Sequence, residues 1–393
     1  VVGSAALLRE SSPKAGLLVL VHYHCDQQPT PNSQHPTAIN LKHSTFKKAK
    51  RFNKTIFNYL RPMLTRLLFV RFSSFGDIVL TTPAVRCAKE QWYGEVEIHY
   101  LTKKQYGFLL ENNPHIHTVH TIERSTNEII ETLKELQFDY IIDLHHNARS
   151  FFLKRKLGMM TFAFTKLNFE KWLLVNTGIN RLPNVHIVDR YLATLRAFKI
   201  KNDEKGLDYF ILPNEEVTPK ELPDGFKSGF VAFVIGGQYR GKKLPPEKIA
   251  RICTTISQPV ILLGGPEDEP AADIITKLTG GRVWSAVGKY SFNQSASILK
   301  QSLAVVSHDT GLMHVASAFK KPIISVWGGT IPGFGMYPYL PGQPSFEVES
   351  KHLKKRPCSK LGNRCKYKPC RCMDEIDERE ITDDLNQIML SVR

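Results

Sequence analysis

The stretch Leu67-Leu68-Phe69-Val70-Arg71-Phe72-Ser73-Ser74-Phe75-Gly76-Asp77-Ile78-Val79 decides the fold. Its first six residues form an apolar run broken only by Arg71, without the in–out alternation of a half-solvated strand. That pattern predicts a parallel strand covered on both faces. A short polar turn follows, in which Gly76 lets the backbone bend sharply. Helix-like sequence then runs from Ile78 to Gln91, with Pro83 in its first turns, where proline is tolerated.

The same alternation continues along the chain. Strand Glu95–Leu101, helix Lys103–Asn112, strand Thr118–Ile122, helix Asn127–Gln137 and strand Tyr140–Leu144 follow in turn. Residues 151–215 are less regular, with a helix over Val188–Phe198. Pro213, Pro219, Pro223 and Gly225 read as a linker. A second series then begins, with strands Phe230–Ile235, Val260–Leu263, Val283–Ser285, Leu303–Ser307 and Pro322–Val326. Helices Pro246–Thr255, Ala271–Leu278, Ser291–Lys300 and Gly311–Phe319 separate them. The expectation is an α/β chain of two Rossmann-like, doubly wound domains, 63–215 and 216–393, facing across a cleft. The second includes a cysteine-rich tail and a final helix. In such sheets ligands bind beyond the carboxyl ends of the strands.

Composition agrees. The 393 residues suit two domains of about 150 each, and 42% hydrophobic with 23% charged residues is ordinary for a globular protein. No apolar run approaches the roughly 20 residues that span a bilayer. Gly16–Val21 is too short for a signal-peptide core. These features predict a cytoplasmic protein. The net charge of +16 asks for an anionic partner: nucleic acid, a phosphorylated ligand or a membrane surface. Nucleic acid is disfavoured, because no helix-turn-helix signature, RNP motif or aromatic–basic interleaving occurs. Residues 1–62 carry nine Lys/Arg and two acids in a polar, aperiodic sequence, so they are expected to be a disordered basic segment. The first methionine is Met63. Either 1–62 precedes the native start or it is a genuine basic arm.

Five loops at strand ends hold chemistry. Ser74, Gly76 and Asp77 follow the first strand. Asp77 suits a general base at the cleft floor, and alone it reads equally as a helix cap. Gly237 lies in a glycine-containing loop with Arg240, Lys242 and Lys243 ahead of a helix, a setting for a diphosphate. It is not a Walker loop. Ser307-His308-Asp309-Thr310-Gly311-Leu312-Met313-His314 places the Thr310 and Gly311 amides at a helix start, with His314 one turn on. One acid of Glu267-Asp268-Glu269, after Val260–Leu263, suits a ribose hydroxyl, or the run is plain surface charge. Asn147 and Arg149, after Tyr140–Leu144, are acceptor-side candidates. The adjacent His145 and His146 make a poor metal pair.

Two of these loops, taken whole, resemble a known family. Arg71-Phe72-Ser73-Ser74-Phe75-Gly76-Asp77-Ile78-Val79-Leu80-Thr81-Thr82-Pro83 looks like the opening motif of the ADP-heptose:lipopolysaccharide heptosyltransferases, glycosyltransferase family 9. Ser307–Ala316 resembles their second motif. The resemblance implies a GT-B fold, with an acceptor-binding N-terminal domain and a nucleotide-sugar-binding C-terminal domain. It also implies inverting transfer of heptose from ADP-heptose to the lipid A–Kdo inner core, or, as the rival reading, a related GT-B transferase that uses another nucleotide sugar for a different surface glycan. Asp77 would be the base, with Lys242, Asp309, Thr310, Gly311, His314 and, less closely, Glu267 on the donor. No cofactor and no active-site metal is implied. The acceptor implies a peripheral place on the inner face of the cytoplasmic membrane.

One segment departs from that pattern. Cys358, Cys365, Cys370 and Cys372 cluster in the basic stretch Lys351–Arg371. Three readings stand: a structural zinc, reduced or redox-linked thiols, or, by the resemblance, a structural loop of a subfamily carrying Cys358-Ser359-Lys360-Leu361-Gly362. The basic stretch itself suits anionic lipid or a phosphorylated glycan.

Overall fold

The structure is a computed structural model, and it describes residues 64–367 and 370–392. The expectation for 1–62 lies outside these residues. The apolar run forms strand β1 (Thr65–Val70). The single helix expected over 78–91 is two: α1 (Phe75–Val79) and α2 (Thr82–Gln91). Pro83 sits in the first turn of α2, where its missing N–H costs nothing, so it starts a helix rather than continuing one. Strand β2 (Val96–Lys103) follows. Residues Lys104–Leu109, expected as a helix, form a short 3-10 turn that contains Gly107. Then come β3 (Thr118–Ile122), α3 (Ile130–Glu135) and β4 (Tyr140–Asp143).

Three elements were not legible. They are α4 (Ala148–Leu157), β5 (Met160–Ala163) and α5 (Asn168–Thr177). Their large apolar residues Phe151, Phe152, Met160, Phe169 and Trp172 are all exposed, which scrambles the periodicity that marks a buried face. Helix α6 (Ile187–Leu192) tightens into 3-10 turns over Ala193–Phe198.

The second series is β6 (Val231–Val234), α7 (Pro246–Thr255), β7 (Val260–Leu263), α8 (Glu269–Thr279) and β8 (Val283–Ser285). It continues with α9 (Phe292–Gln301), β9 (Ala304–His308), α10 (Gly311–Ala318) and β10 (Pro322–Trp327). An unforeseen edge strand, β11 (Gly342–Glu349), and the final helix α11 (Glu378–Val392) complete it.

Both sheets are wholly parallel. Their orders are β3-β2-β1-β4-β5 and β11-β10-β9-β6-β7-β8. Each is doubly wound, and the order reverses between β1 and β4 in one and between β6 and β9 in the other. Crevices open at these switch points, beyond the strands' carboxyl ends. One apolar cluster links the sheets. It includes Leu67, Phe69 and Ile142 of the first and Ile261, Val305 and Ile323 of the second. Phe75 of α1 stacks on Phe292 of α9 at 4.9 Å, clasping the halves beside the crevices. No helix among the described residues is long and apolar enough to cross a membrane.

Candidate active site

Every loop at the two switch points carries a residue the sequence singled out. Arg71, at the end of β1, is buried and fully engaged. Its guanidinium donates to Ser73 O at 2.7 Å and Leu144 O at 2.6 Å, and it pairs with Asp77 Oδ1 at 2.7 Å. The other Asp77 oxygen accepts from the Ser74 amide at 3.2 Å and the Ser74 hydroxyl at 2.9 Å. Asp77 therefore does cap α1, as the third residue of the helix. It also keeps 19% of its side chain open. Burial pushes its pKa up, but Arg71 and the Ser74 hydrogen bonds outweigh that and hold it below the ordinary carboxylate range. It is ionised at neutral pH.

On the other side, Lys242 Nζ stands 2.6 Å from Asp309 Oδ2, which also accepts from Thr330 at 3.1 Å. Thr310 is the N-cap of α10, yet its side chain makes no capping bond. The first amides of that helix are thus left for another acceptor. His308 fixes the loops to each other. Its Nδ1 donates to Gly236 O at 3.2 Å and its Nε2 accepts from Leu244 N at 3.1 Å. Gly237 abuts Lys243 in the same loop. Glu267 is exposed. Its neighbour Asp268, the next acid of that run, is buried, pairs with Lys243 at 2.6 Å and accepts from the Gly265 amide at 3.1 Å.

The two sides meet. Gly76 lies against His314, and Gly311 against Phe75. Burial lowers the His314 pKa to about 4, so the ring is neutral, and its buried Nδ1 has no partner. Three further cations feel the Asp77 charge. Lys166 and Lys360 are lowered by burial, and Asp77 pulls the other way on each. Lys171 is lowered to about 8 by burial and by Arg190 and Lys360, against Asp77 and Asp309. Lys166 and Lys171 lie in stretches with no sequence motif, and Lys360 lies in the cysteine-rich segment, which was not read as part of the site.

Asn147 is spent on capping α4, its oxygen accepting from Ser150 N at 3.0 Å. Arg149 stacks over Phe72 at 5.5 Å. With Arg124, Lys156 and Phe152 it lines a basic cavity of about 380 Å³. His145 packs on Phe72, whereas His146 bonds Phe164 O, so the two rings diverge.

The sequence of residues 126–368 matches the family model described as glycosyltransferase family 9 (heptosyltransferase). The chain belongs to glycosyltransferase family 9. The matched segment contains Lys242, Asp309, Thr310, Gly311 and His314, while Asp77 lies before it. Among curated relatives, lipopolysaccharide heptosyltransferase 1 of Campylobacter coli is 22% identical over 291 residues, covering 67% of this chain and 84% of that protein. Among solved structures, a glycosyltransferase family 9 protein of Veillonella parvula superposes with a TM-score of 0.67 at 20% identity, over 83% of this chain and 98% of that one. The ADP-heptose LPS heptosyltransferase II of E. coli does so with 0.63 at 17%, over 83% and 99%. The paired parallel sheets of this family 9 glycosyltransferase are the GT-B architecture.

Proposed function

We propose that this family 9 glycosyltransferase moves heptose from ADP-heptose to the lipopolysaccharide inner core, with inversion, using Asp77 as general base. The observation that carries the reading is the meeting of an ionised, partly open carboxylate with a cation-and-amide loop across two switch points. The relatives' names supply the donor and acceptor class.

In this reading the half built on β1–β5 takes the acceptor and the half built on β6–β11 takes the nucleotide sugar. The acceptor hydroxyl attacks the anomeric carbon while its proton passes to Asp77. The bond from that carbon to the diphosphate oxygen breaks, and ADP leaves with the electron pair. Lys242 and the Thr310 and Gly311 amides stabilise the charge that develops there. Because Asp77 is a weak base, proton transfer comes late, when the new bond has already made the hydroxyl acidic. No cofactor enters the step.

The cavity of Arg124, Arg149 and Lys156 suits the carboxylates and phosphates of a lipid A–Kdo acceptor. Exposed Phe151, Phe152, Phe169 and Trp172, beside Arg155 and Lys156, suit the headgroup layer of an anionic membrane. This supports a peripheral position on the inner face of the cytoplasmic membrane.

A donor screen tests the proposal. Nucleotide release is measured with ADP-heptose and with other nucleotide sugars, with and without lipid A–Kdo. Acceptor-dependent ADP release is expected. Turnover with a uridine or guanosine donor, and none with ADP-heptose, overturns it.

A further inference from the structure

The segment that carries four cysteines does not take part in the chemistry proposed above. Among the described residues it holds no helix or strand between Glu349 and Glu378. Yet three of its thiols converge. Cys372 Sγ is 2.8 Å from Cys358 Sγ and 3.5 Å from Cys365 Sγ, and all three sulfurs lie within 4.8 Å of one another. Cys358 and Cys372 are buried, while Cys365 and Cys370 are half-buried. Cys370 adjoins the triad at Cys365, although its sulfur is not within 4.8 Å of all three.

We propose that Cys358, Cys365, Cys370 and Cys372 bind one thiophilic divalent cation, of the zinc class, as a closed tetrahedral thiolate site. A zinc–sulfur bond of about 2.3 Å sets the sulfurs of such a site about 3.8 Å apart. The triad's separations, 2.8 Å, 3.5 Å and at most 4.8 Å, bracket that spacing. A disulfide needs two sulfurs at about 2.0 Å and leaves the others without a role. The charge environment agrees as well. Binding releases four thiol protons and leaves a net charge of −2, which needs cations around it. Residues 351–371 contain nine Lys/Arg and no Asp or Glu.

The site has four protein ligands and no open position, so it is structural. Its place gives it a purpose. The Cys358 amide donates to Gly329 O at 2.9 Å. Gly362, four residues on, packs on Gly241 so closely that a Cβ there would lie 2.6 Å from the Gly362 oxygen. The stem of Lys242 rests on Gly362, and Lys360 reaches Asn168 Oδ1 at 2.5 Å in the other half. The metal would therefore hold the wall behind Lys242.

The test uses the full chain, purified under reducing conditions with zinc supplied. Elemental analysis is expected to find about one zinc per chain. Cys358→Ser and Cys372→Ser lose most of it, and Cys253→Ser, in a buried position elsewhere, keeps it. Cobalt exchanged into the wild-type chain gives the intense visible bands of tetrahedral thiolate coordination, a readout that does not depend on the variants folding. A wild-type chain that takes up no zinc and gives no such bands with cobalt overturns the proposal. So does a Cys358–Cys372 disulfide that persists in the reduced preparation. Neither result depends on which sugar is transferred.

Discussion

Gly76 and His314 belong to different halves of the fold, and a Cβ built on Gly76 would fall 2.5 Å from the His314 ring carbon Cδ2. The loop carrying Asp77 is thereby set directly on the helix whose N-terminus faces the donor side. A real Cβ contact is never that short, so something must shift when a side chain is added. The neighbour that would have to yield is a buried imidazole. Gly76→Ala is therefore expected to cost about 1–3 kcal/mol of stability and to lower turnover by misplacing Asp77. Removing the ring should relieve the clash: Gly76→Ala combined with His314→Ala is expected to be less destabilised than the two single losses summed. Thermal melts of the four proteins give the coupling. Strict additivity would mean that the contact is not made.

Asp77 joins three jobs in one carboxylate. It caps α1, neutralises buried Arg71 and faces the crevice. Asp77→Asn keeps the shape but loses the charge. Turnover is expected to fall by about 10²–10⁴-fold, the usual contribution of a general base, while ADP affinity stays largely intact. The pair with Arg71 is lost too, so a lower melting temperature is also expected. Calorimetric titration with ADP separates the two effects. Wild-type-like turnover in this variant would remove the base assignment.

The sequence made the parallel strands legible because buried β-runs such as Leu67–Val70 and Val260–Leu263 are apolar on both faces. It also placed Asp77, Lys242 and Asp309 correctly at strand ends, since loops there follow from the alternation itself. It could not say that Lys242 and Asp309 face each other, because their contact spans 67 residues. Nor could it relate Lys171 and Lys360 to Asp77, whose charge acts on both, since one sits on a helix hidden by exposed aromatics and the other in an irregular segment. Glu267 and Asp268 show the limit of position alone. Adjacent carboxylates in one loop point to opposite surroundings, one to solvent and one to Lys243.

Acid sensitivity follows from four buried histidines, His99, His186, His308 and His314, and the half-buried His145. Burial lowers the pKa of His99, His145, His308 and His314 to about 4 and that of His186 to about 3. Unfolded, each titrates near 6.5. Between those values the unfolded chain binds protons that the folded chain refuses. Stability from these groups is thus fully present above about pH 6.5 and is lost as pH falls toward 4. Each contributes a slope of at most about 1.4 kcal/mol per pH unit. Melting temperature is expected to be flat from pH 8 to 6.5 and to drop steeply below it. His308→Gln, which can still accept from Leu244 N, should make the drop shallower. A profile unchanged between pH 7 and 5 would contradict neutral burial.

Lys242 is held by Asp309 at 2.6 Å, and both side chains are mostly covered. In the proposed reading, a diphosphate arriving at the Thr310 and Gly311 amides meets a lysine already positioned and a carboxylate already neutralised. Lys242→Gln reverses both. It removes the cation and leaves Asp309 to repel the phosphates. ADP affinity is expected to fall about 10–100-fold, the scale of one charged hydrogen bond, while adenosine, which has no phosphate, binds as before. Lys242→Arg keeps the charge, but its bulkier head must fit where the lysine stem already rests on Gly362, so an intermediate loss is expected. In Lys242→Gln, adding Asp309→Asn should recover part of the ADP affinity, because the repelling charge has gone. Titration calorimetry with ADP and adenosine across these variants decides it. Equal losses for both ligands would place Lys242 away from the diphosphate and would reassign the loop to the nucleoside.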